Sequence, residues 1–386
     1  MESIEAFLEE RKSHGLLRSL RPITWRKQSR IKIKGKEYLD FSSNDYLGLS
    51  HHPELIKEIK RALGKFGTAS CASRLLSGDS ELHHQLEEKI AYLKCKEAAL
   101  VFNSGYQANV GIISSLYSEG DVIFYDRLSH ASIIDGIILS GARHLRFRHN
   151  DLEHLKSLLE KERKKFSKSL IVTETIFSMD GDRAPLRGLV ELKQRYNCSL
   201  LVDEAHATGV FGKNGSGIVE EEGLQGEIEL VMGTFSKALA GFGAYLAVSR
   251  KIKDYLINTC RSFIYSTALS PAVIAGNLAS LKIVEDEPMR RKELLESAEY
   301  FRRELENRGF KIKSDSQIIP LIIGENQKTV EYSRLLQARG YWVLPIRYPT
   351  VPKEEARLRF SLTFNHSKEI LGKLIRDIDE CGIQVY

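Results

Sequence analysis

Lys237 stands in "GTFSKALAGFGA" (233–244) among small and apolar residues, with no acid in the string. Surface lysines usually keep mixed-charge company, so this ammonium either snorkels out of a tight turn or does chemistry as an amine. Several other reactive groups follow short apolar runs. Gly105 comes after "AALVF" in "NSGYQAN", and His130 follows "DVIFYDRL" in "SHAS". Ser178 follows "IVTET" in "IFSMDGD"; Asp203 and His206 close "LLVDEAH"; Thr234, Ser236 and Lys237 close "ELVMGTFSK". A lysine, an acid, two imidazoles and several hydroxyls are thus offered, and a helix starting at Gly105 would turn its N–H groups on an anion.

The elements that must hold them are those of an α/β fold. "AALVF" (98–102), "DVIFY" (121–125), "SLIVTE" (169–174), "SLLVDE" (199–204), "IELVMG" (228–233) and "AYLAVS" (244–249) do not alternate. Strands covered on both faces read this way, so they predict a large, mostly parallel sheet with helices such as "DLEHLKSLLEKERKKF" between the strands. In such a sheet a ligand lies beyond the carboxyl ends, where these reactive residues fall. Upstream, residues 3–17 have helical spacing and "RIKIKGKEYLDFSS" reads as a hairpin about Gly35. Downstream, helical sequence at 271–308 leads to "IIPLIIG", "YWVLPIR" and "ARLRFSLTF" as strands, with helices near 326–339 and 367–380. The expected domains are an N-terminal helix and hairpin segment (1–50), a large α/β domain (51–285) and a small C-terminal α+β domain (286–386).

Bulk properties narrow the function. The 386 residues are 42% hydrophobic and carry 57 basic against 51 acidic side chains, a net charge of +6 spread along the chain. No basic stripe interleaved with aromatics points to nucleic acid, and no apolar run approaches the ~18 residues of a membrane span. Five cysteines at 71, 95, 198, 260 and 381 show no metal spacing and read as reduced thiols of a cytoplasmic protein. "DEAH" lacks the G-x-x-x-x-G-K-[ST] loop a helicase needs, and neither H-E-x-x-H nor G-x-S-x-G occurs, so no metal site is expected.

Singly, each candidate has an ordinary structural job. Together they fit pyridoxal 5′-phosphate, which needs a lysine for its Schiff base and an acid to keep the pyridine nitrogen protonated. Hydroxyls and N–H groups would receive its phosphate, and His130 would lie flat on the ring.

"SSNDYLGLSHHP", "SHASIIDG", "TETIFSMDGD", "LVDEAHATGVFG", "TFSKALAGFGA" and "PTVPKEEARLRFSLT" resemble the α-oxoamine synthases, pyridoxal-phosphate enzymes of fold type I, in order from about residue 17 to 363. The resemblance implies an internal aldimine on Lys237, Asp203 on the pyridine nitrogen, His130 stacked on the ring and His206 on the phenolic oxygen. Gly105, Tyr106, Ser178 and Thr234 would line the cofactor, and Thr267 would reach the phosphate held by the other subunit of a homodimer. Arg359 would hold the amino-acid carboxylate, with Arg18, Asn44 and Thr350 also on substrate; Arg21 competes with Arg18 for its place. Two features depart from the family pattern: that second arginine, and Cys71 in "GTASCA", where the family has a glycine-rich loop.

The implied reaction joins L-alanine to a pimeloyl thioester, carried by coenzyme A or acyl carrier protein, with loss of CO2 and the thiol. Within the family the alternative is glycine with acetyl-CoA. Outside it, a catalytically silent partner subunit would keep the fold but should lack the lysine.

Overall fold

The computed structural model describes residues 3–383. It divides into two compact units. One is a sheet unit of Leu49–Phe177 and Arg183–Arg291; the other combines the residues up to Gly48, Ser178–Asp182 and the residues from Lys292 onward.

The second unit begins with a helix, Ile4–Ser13, capped by the Ser3 side chain. Strands β1 (Trp25–Lys27), β2 (Arg30–Ile33) and β3 (Lys36–Asp40) follow. The β2–β3 hairpin turns at Gly35, whose φ of +81° only glycine adopts without strain. Ile31 and Ile33 point inward on alternate positions, as the sequence pattern requires.

In the sheet unit, β4 (Ala98–Phe102), β5 (Val122–Asp126), β6 (Arg143–Phe147), β7 (Ser169–Glu174), β8 (Ser199–Asp203), β9 (Leu230–Thr234) and β10 (Ala244–Val248) form one sheet. Its order is β4-β10-β9-β8-β7-β5-β6, with β10 antiparallel to both its neighbours and the other pairs parallel. The mostly parallel sheet is as expected, and six of the seven strands fall on the predicted runs. The seventh, β6, reads R-H-L-R-F and lies at the sheet edge with most of its side chains in solvent, so it carried no apolar signal. Helices Gly105–Leu116 and Ala131–Ser140 pack closely, because a Cβ at Gly136 would come within 2.9 Å of the Asn109 carbonyl. The central core is built from Leu100, Ile112, Ile123, Ile133, Leu201 and Leu246 together with their neighbours.

The helical stretch at 271–308 is two helices, Pro271–Asp286 and Met289–Glu306. Strands β11 (Ile318–Gly324), β12 (Tyr341–Trp342), β13 (Pro345–Ile346) and β14 (Ala356–Ser361) complete the second unit. "YWVLPIR" is not the single strand expected. β12 adds in parallel to β3, whereas β13 pairs antiparallel with β14 in a sheet of order β11-β14-β13. Pro345 has no N–H to donate, so the run breaks before it and serves two sheets. Helices Asn326–Ala338 and Lys368–Glu380 match expectation. Among the described residues, no helix is long and apolar enough to cross a membrane, and the five cysteines are free.

Candidate active site

Strands β5, β7, β8 and β9 run parallel, and β4 keeps the same direction through its antiparallel neighbour β10. Their carboxyl ends therefore deliver Asp126, Glu174, Asp203, Thr234 and the Ser104–Gly105 helix start to one edge. This is the edge at which doubly wound sheets bind ligands.

Lys237 Nζ lies 2.6 Å from His206 Nε2. The turn after β9 is fixed from within: Thr234 Oγ1 donates to the Gly243 carbonyl at 2.8 Å and receives the Ser236 N–H at 3.2 Å. Thr234 is buried, and it holds the lysine turn rather than capping a helix.

Asp203 is buried, with each carboxylate oxygen already accepting a hydrogen bond. The Ala205 N–H donates to Oδ1 at 2.8 Å and Asn109 Nδ2 donates to Oδ2 at 2.9 Å. The same amide nitrogen donates to Ser132 Oγ at 3.0 Å, and that hydroxyl meets His130 Nδ1 at 2.7 Å. A continuous hydrogen-bonded chain thus runs from Asp203 to His130.

His130 is the N-cap of Ala131–Ser140, with the Ser132 N–H donating to Nδ1 at 3.2 Å. An Nδ1 that accepts from a backbone N–H leaves the proton of the neutral ring on Nε2. Loss of hydration around the ring holds its pKa below the usual value; the Asp203 charge opposes this and the Lys237 charge adds to it.

Gly105 opens a helix capped by the Ser104 side chain, as anticipated, and a Cβ there would sit 3.1 Å from Met232 Cε. Tyr106 is half exposed, its hydroxyl on Asp135. Thr267 is exposed; its carbonyl accepts from Asn103 Nδ2 at 2.7 Å, and it bridges to Ser73 in the loop that follows Cys71. Cys71 has a φ of +57°, so the loop keeps a glycine-like conformation at a residue that is not glycine.

The remaining candidates belong to the second unit. Arg359 on β14 is buried, and Nε donates to the Ser178 carbonyl at 2.6 Å. Its terminal nitrogens donate to Asn44 Oδ1 at 3.2 and 3.3 Å, and to the Ser361 hydroxyl. All these acceptors are neutral. Its strand neighbour Arg357, also buried, is instead paired with Asp180 at 2.6 Å and Glu355 at 3.0 Å.

Arg18 Nη2 donates to Thr350 Oγ1 at 2.8 Å, which brings two predicted substrate residues together. Arg21 is engaged elsewhere, on Gln337 Oε1 at 3.3 Å and over the Trp342 ring at 5.4 Å. Both arginines line a cavity of about 630 Å³ together with Arg26, Arg347, Trp342 and Thr350. Burial, reinforced by the charges of Arg18 and Arg21, lowers the pKa of Arg347.

Asn109, Ser132, Glu174 and Arg347 escaped the sequence reading. The first two lie inside helices, and Arg347 closes "YWVLPIR", a run that reads as a strand. Glu174 closes "SLIVTE", a strand already recognised, and a buried-strand pattern ending in an acid was the available signal.

Comparison with known proteins decides the kinship. The family model described as aminotransferase class I and II matches residues 36–378. An 8-amino-7-oxononanoate synthase from Geotalea daltonii is 45% identical over 385 residues, covering 99% of this chain and 98% of the relative. The chain belongs to this family. In the class I and II aminotransferase fold it is also similar to solved structures. A serine palmitoyltransferase from S. paucimobilis with bound PLP–myriocin aldimine matches at TM-score 0.92 and 30% identity, covering 98% of this chain and 96% of that one. An 8-amino-7-oxononanoate synthase from Francisella tularensis matches at TM-score 0.78 and 31% identity, covering 89% and 97%. The fold-type-I architecture expected from the sequence is the one these relatives share.

Proposed function

We propose that this chain catalyses the 8-amino-7-oxononanoate synthase reaction of biotin biosynthesis. L-Alanine and a pimeloyl thioester give 8-amino-7-oxononanoate, CO2 and the free thiol of coenzyme A or acyl carrier protein, with pyridoxal 5′-phosphate as cofactor. The observation that carries this reading is the Lys237–His206 contact of 2.6 Å, at the sheet edge where Asp203 is held by two N–H donors.

The donor set suits the cofactor. Asp203, kept as an acceptor, suits a protonated ring nitrogen, and His206 suits a phenolic oxygen beside the lysine. The Gly105 helix start and the hydroxyls of Ser178 and Thr234 suit its polar groups, as does Thr267 supplied from the partner subunit of a homodimer. Once bound, pyridoxal phosphate supplies an aldehyde for the substrate amine and an electron-withdrawing cationic ring. The residues do the rest. Lys237 Nζ takes the Cα proton of alanine and returns one to the product. His206 holds that amine in place, and His130, with Nε2–H free to donate, polarises the thioester carbonyl. Arg359 binds the alanine carboxylate; a buried guanidinium with only neutral partners among the described residues is suited to an anion from outside. Asn44 orients that guanidinium, and Arg18 with Thr350 receives the distal carboxylate of the pimeloyl chain. The enzyme works in the cytoplasm.

A matrix of amino acids against acyl thioesters tests the reaction. Alanine with a pimeloyl thioester should exceed glycine by tenfold or more, since one methyl in an apolar pocket contributes ~1–3 kcal/mol. Equal turnover of glycine with acetyl-CoA would refute the assignment. Borohydride reduction of the loaded protein should label Lys237, and Lys237→Ala should fold without turning over. A label on another lysine rules out its role.

A further inference from the structure

Glu174 is the last residue of β7 and the register partner of Asp203 on β8. Paired residues on parallel neighbours point to the same face, so two carboxyl groups stand side by side at the sheet edge. Both residues are buried, Glu174 at 3% exposure and Asp203 at 6%. Two adjacent carboxyls out of water do not both ionise; one keeps a proton.

Hydrogen bonding decides which one. Asp203 receives an N–H on each oxygen, from Ala205 and Asn109, and that favours its charged form. The Glu174 carboxyl accepts from the His130 backbone N–H, while its Oε1 has no hydrogen-bond partner among the described residues. An unpaired buried carboxylate oxygen is costly, whereas a protonated one is tolerated. We propose that Glu174 is a positioning residue that holds a proton, so that Asp203 faces the ring-nitrogen site as a single negative charge.

The other ionisable groups around Glu174 agree. Asp126, at the end of β5, is fully buried and accepts hydrogen bonds from the Leu128 N–H, His149 Nδ1 and the Asn150 N–H. Burial, then Asp203, raise the Glu174 pKa, while Lys237 and the His130 N–H oppose them and Asp126 adds to the rise; the result is about 8. Below that pH the edge carries the charge of Asp203 without a second one from Glu174. Above it a second charge appears, and the field on the ring-nitrogen site and on Lys237 changes together.

The role in the reaction rests on the proposed function; the protonation itself does not. An infrared pH titration of the cofactor-free protein should show a protonated-carboxyl C=O band at pH 7 that fades with a midpoint near 8. Glu174→Gln, nearly isosteric, should lack that band. A wild type without the band at pH 7, or a variant that keeps it, overturns the proposal. With pyridoxal phosphate bound, the wild-type cofactor absorption should change over the same pH interval and that of E174Q should not. An identical change in both overturns the positioning role even if the band is present. Failure to bind pyridoxal phosphate at all would instead count against the proposed function. A readout independent of this variant's spectrum is thermal stability. The folded wild type retains a proton that the unfolded chain releases from about pH 4.5 upward, so its stability relative to E174Q falls from there to about pH 8 and then levels. A constant gap would contradict the proposal.

Discussion

Asn109 Nδ2 donates to Asp203 Oδ2 at 2.9 Å and to Ser132 Oγ at 3.0 Å, so one side-chain amide ties Asp203 to the His130 segment. It reaches both because Gly136 lets the two helices approach without a Cβ between them. Asn109→Ala should therefore act on chemistry more than on folding. Losing a hydrogen bond to a charged group costs ~1.5–3 kcal/mol, which corresponds to a drop in kcat of about 10–100-fold. Steady-state kinetics beside a melting curve checks this. A variant with intact kcat would show that Asp203 needs no help from this amide.

Lys94 and Glu204 form an ion pair with side chains 1% and 0% exposed, 2.7 Å apart. Lys94 also reaches the Ser216 carbonyl and, at 3.2 Å, the Thr208 hydroxyl, and the Val219 N–H donates to Glu204 Oε1 at 2.9 Å. Glu204 follows Asp203 in the chain, so the pair anchors the turn that carries both Asp203 and His206. Lys94→Met strands a buried carboxylate and should lower stability by about 3–5 kcal/mol. Adding Glu204→Gln should recover much of the loss. Chemical denaturation of both variants measures the difference, and additive losses would mean the two groups are not coupled.

Two histidines are buried without charge. His83 is held down to about 4, mainly by burial and then by Arg74, and His366 to about 3 by burial. In the unfolded chain both take a proton near pH 6.5, so the folded state binds fewer protons below that pH. Their contribution to stability is complete above about pH 6.5 and is lost as the pH falls towards 4 and 3. His366 packs on Phe41 with ring centroids 4.0 Å apart and accepts the Thr363 N–H at 3.2 Å. His366→Gln should flatten the acid side of the melting-temperature profile. A profile as steep as wild type between pH 6.5 and 4 would remove His366 as a cause.

Arg359 and Arg18 should separate the two substrates. Arg359→Lys keeps a charge but loses the planar fork, and should raise the KM for alanine about tenfold or more. Arg18→Ala should raise the KM for the pimeloyl thioester and leave alanine binding as it was, because the partner of Arg18 is Thr350 rather than the Arg359 cluster. Paired titrations of both variants with both substrates provide the check. An Arg18 variant with unaltered thioester kinetics would move the distal carboxylate to Arg21 or Arg347, which line the same cavity.

The strand runs from "AALVF" to "AYLAVS" were legible because a strand buried on both faces has to be apolar throughout, whatever lies around it. The residues at the end of each run were legible for a related reason. Parallel strands share one direction, so the strand ends that carry Asp203 and Thr234 meet without any need to know the strand order. Lys237 stood out because its neighbours were too small and neutral for an ordinary surface lysine.

Other features depend on where a side chain finds its partner, and sequence does not carry that information. Asn109 and Ser132 are unremarked helix residues until the approach at Gly136 brings them together. Arg18 and Arg21, three residues apart, compete for one role in the sequence, where only the distance to Pro22 favours Arg18. Tertiary structure sends one to Thr350 and the other to Gln337 and Trp342. "YWVLPIR" is long enough for one strand, yet its two halves enter different sheets because hydrogen bonds are taken where unpaired strand edges exist. The contrast between Arg357 and Arg359 has the same origin: two arginines of one strand differ only in which oxygens surround them, and that is settled by contacts far apart in the chain.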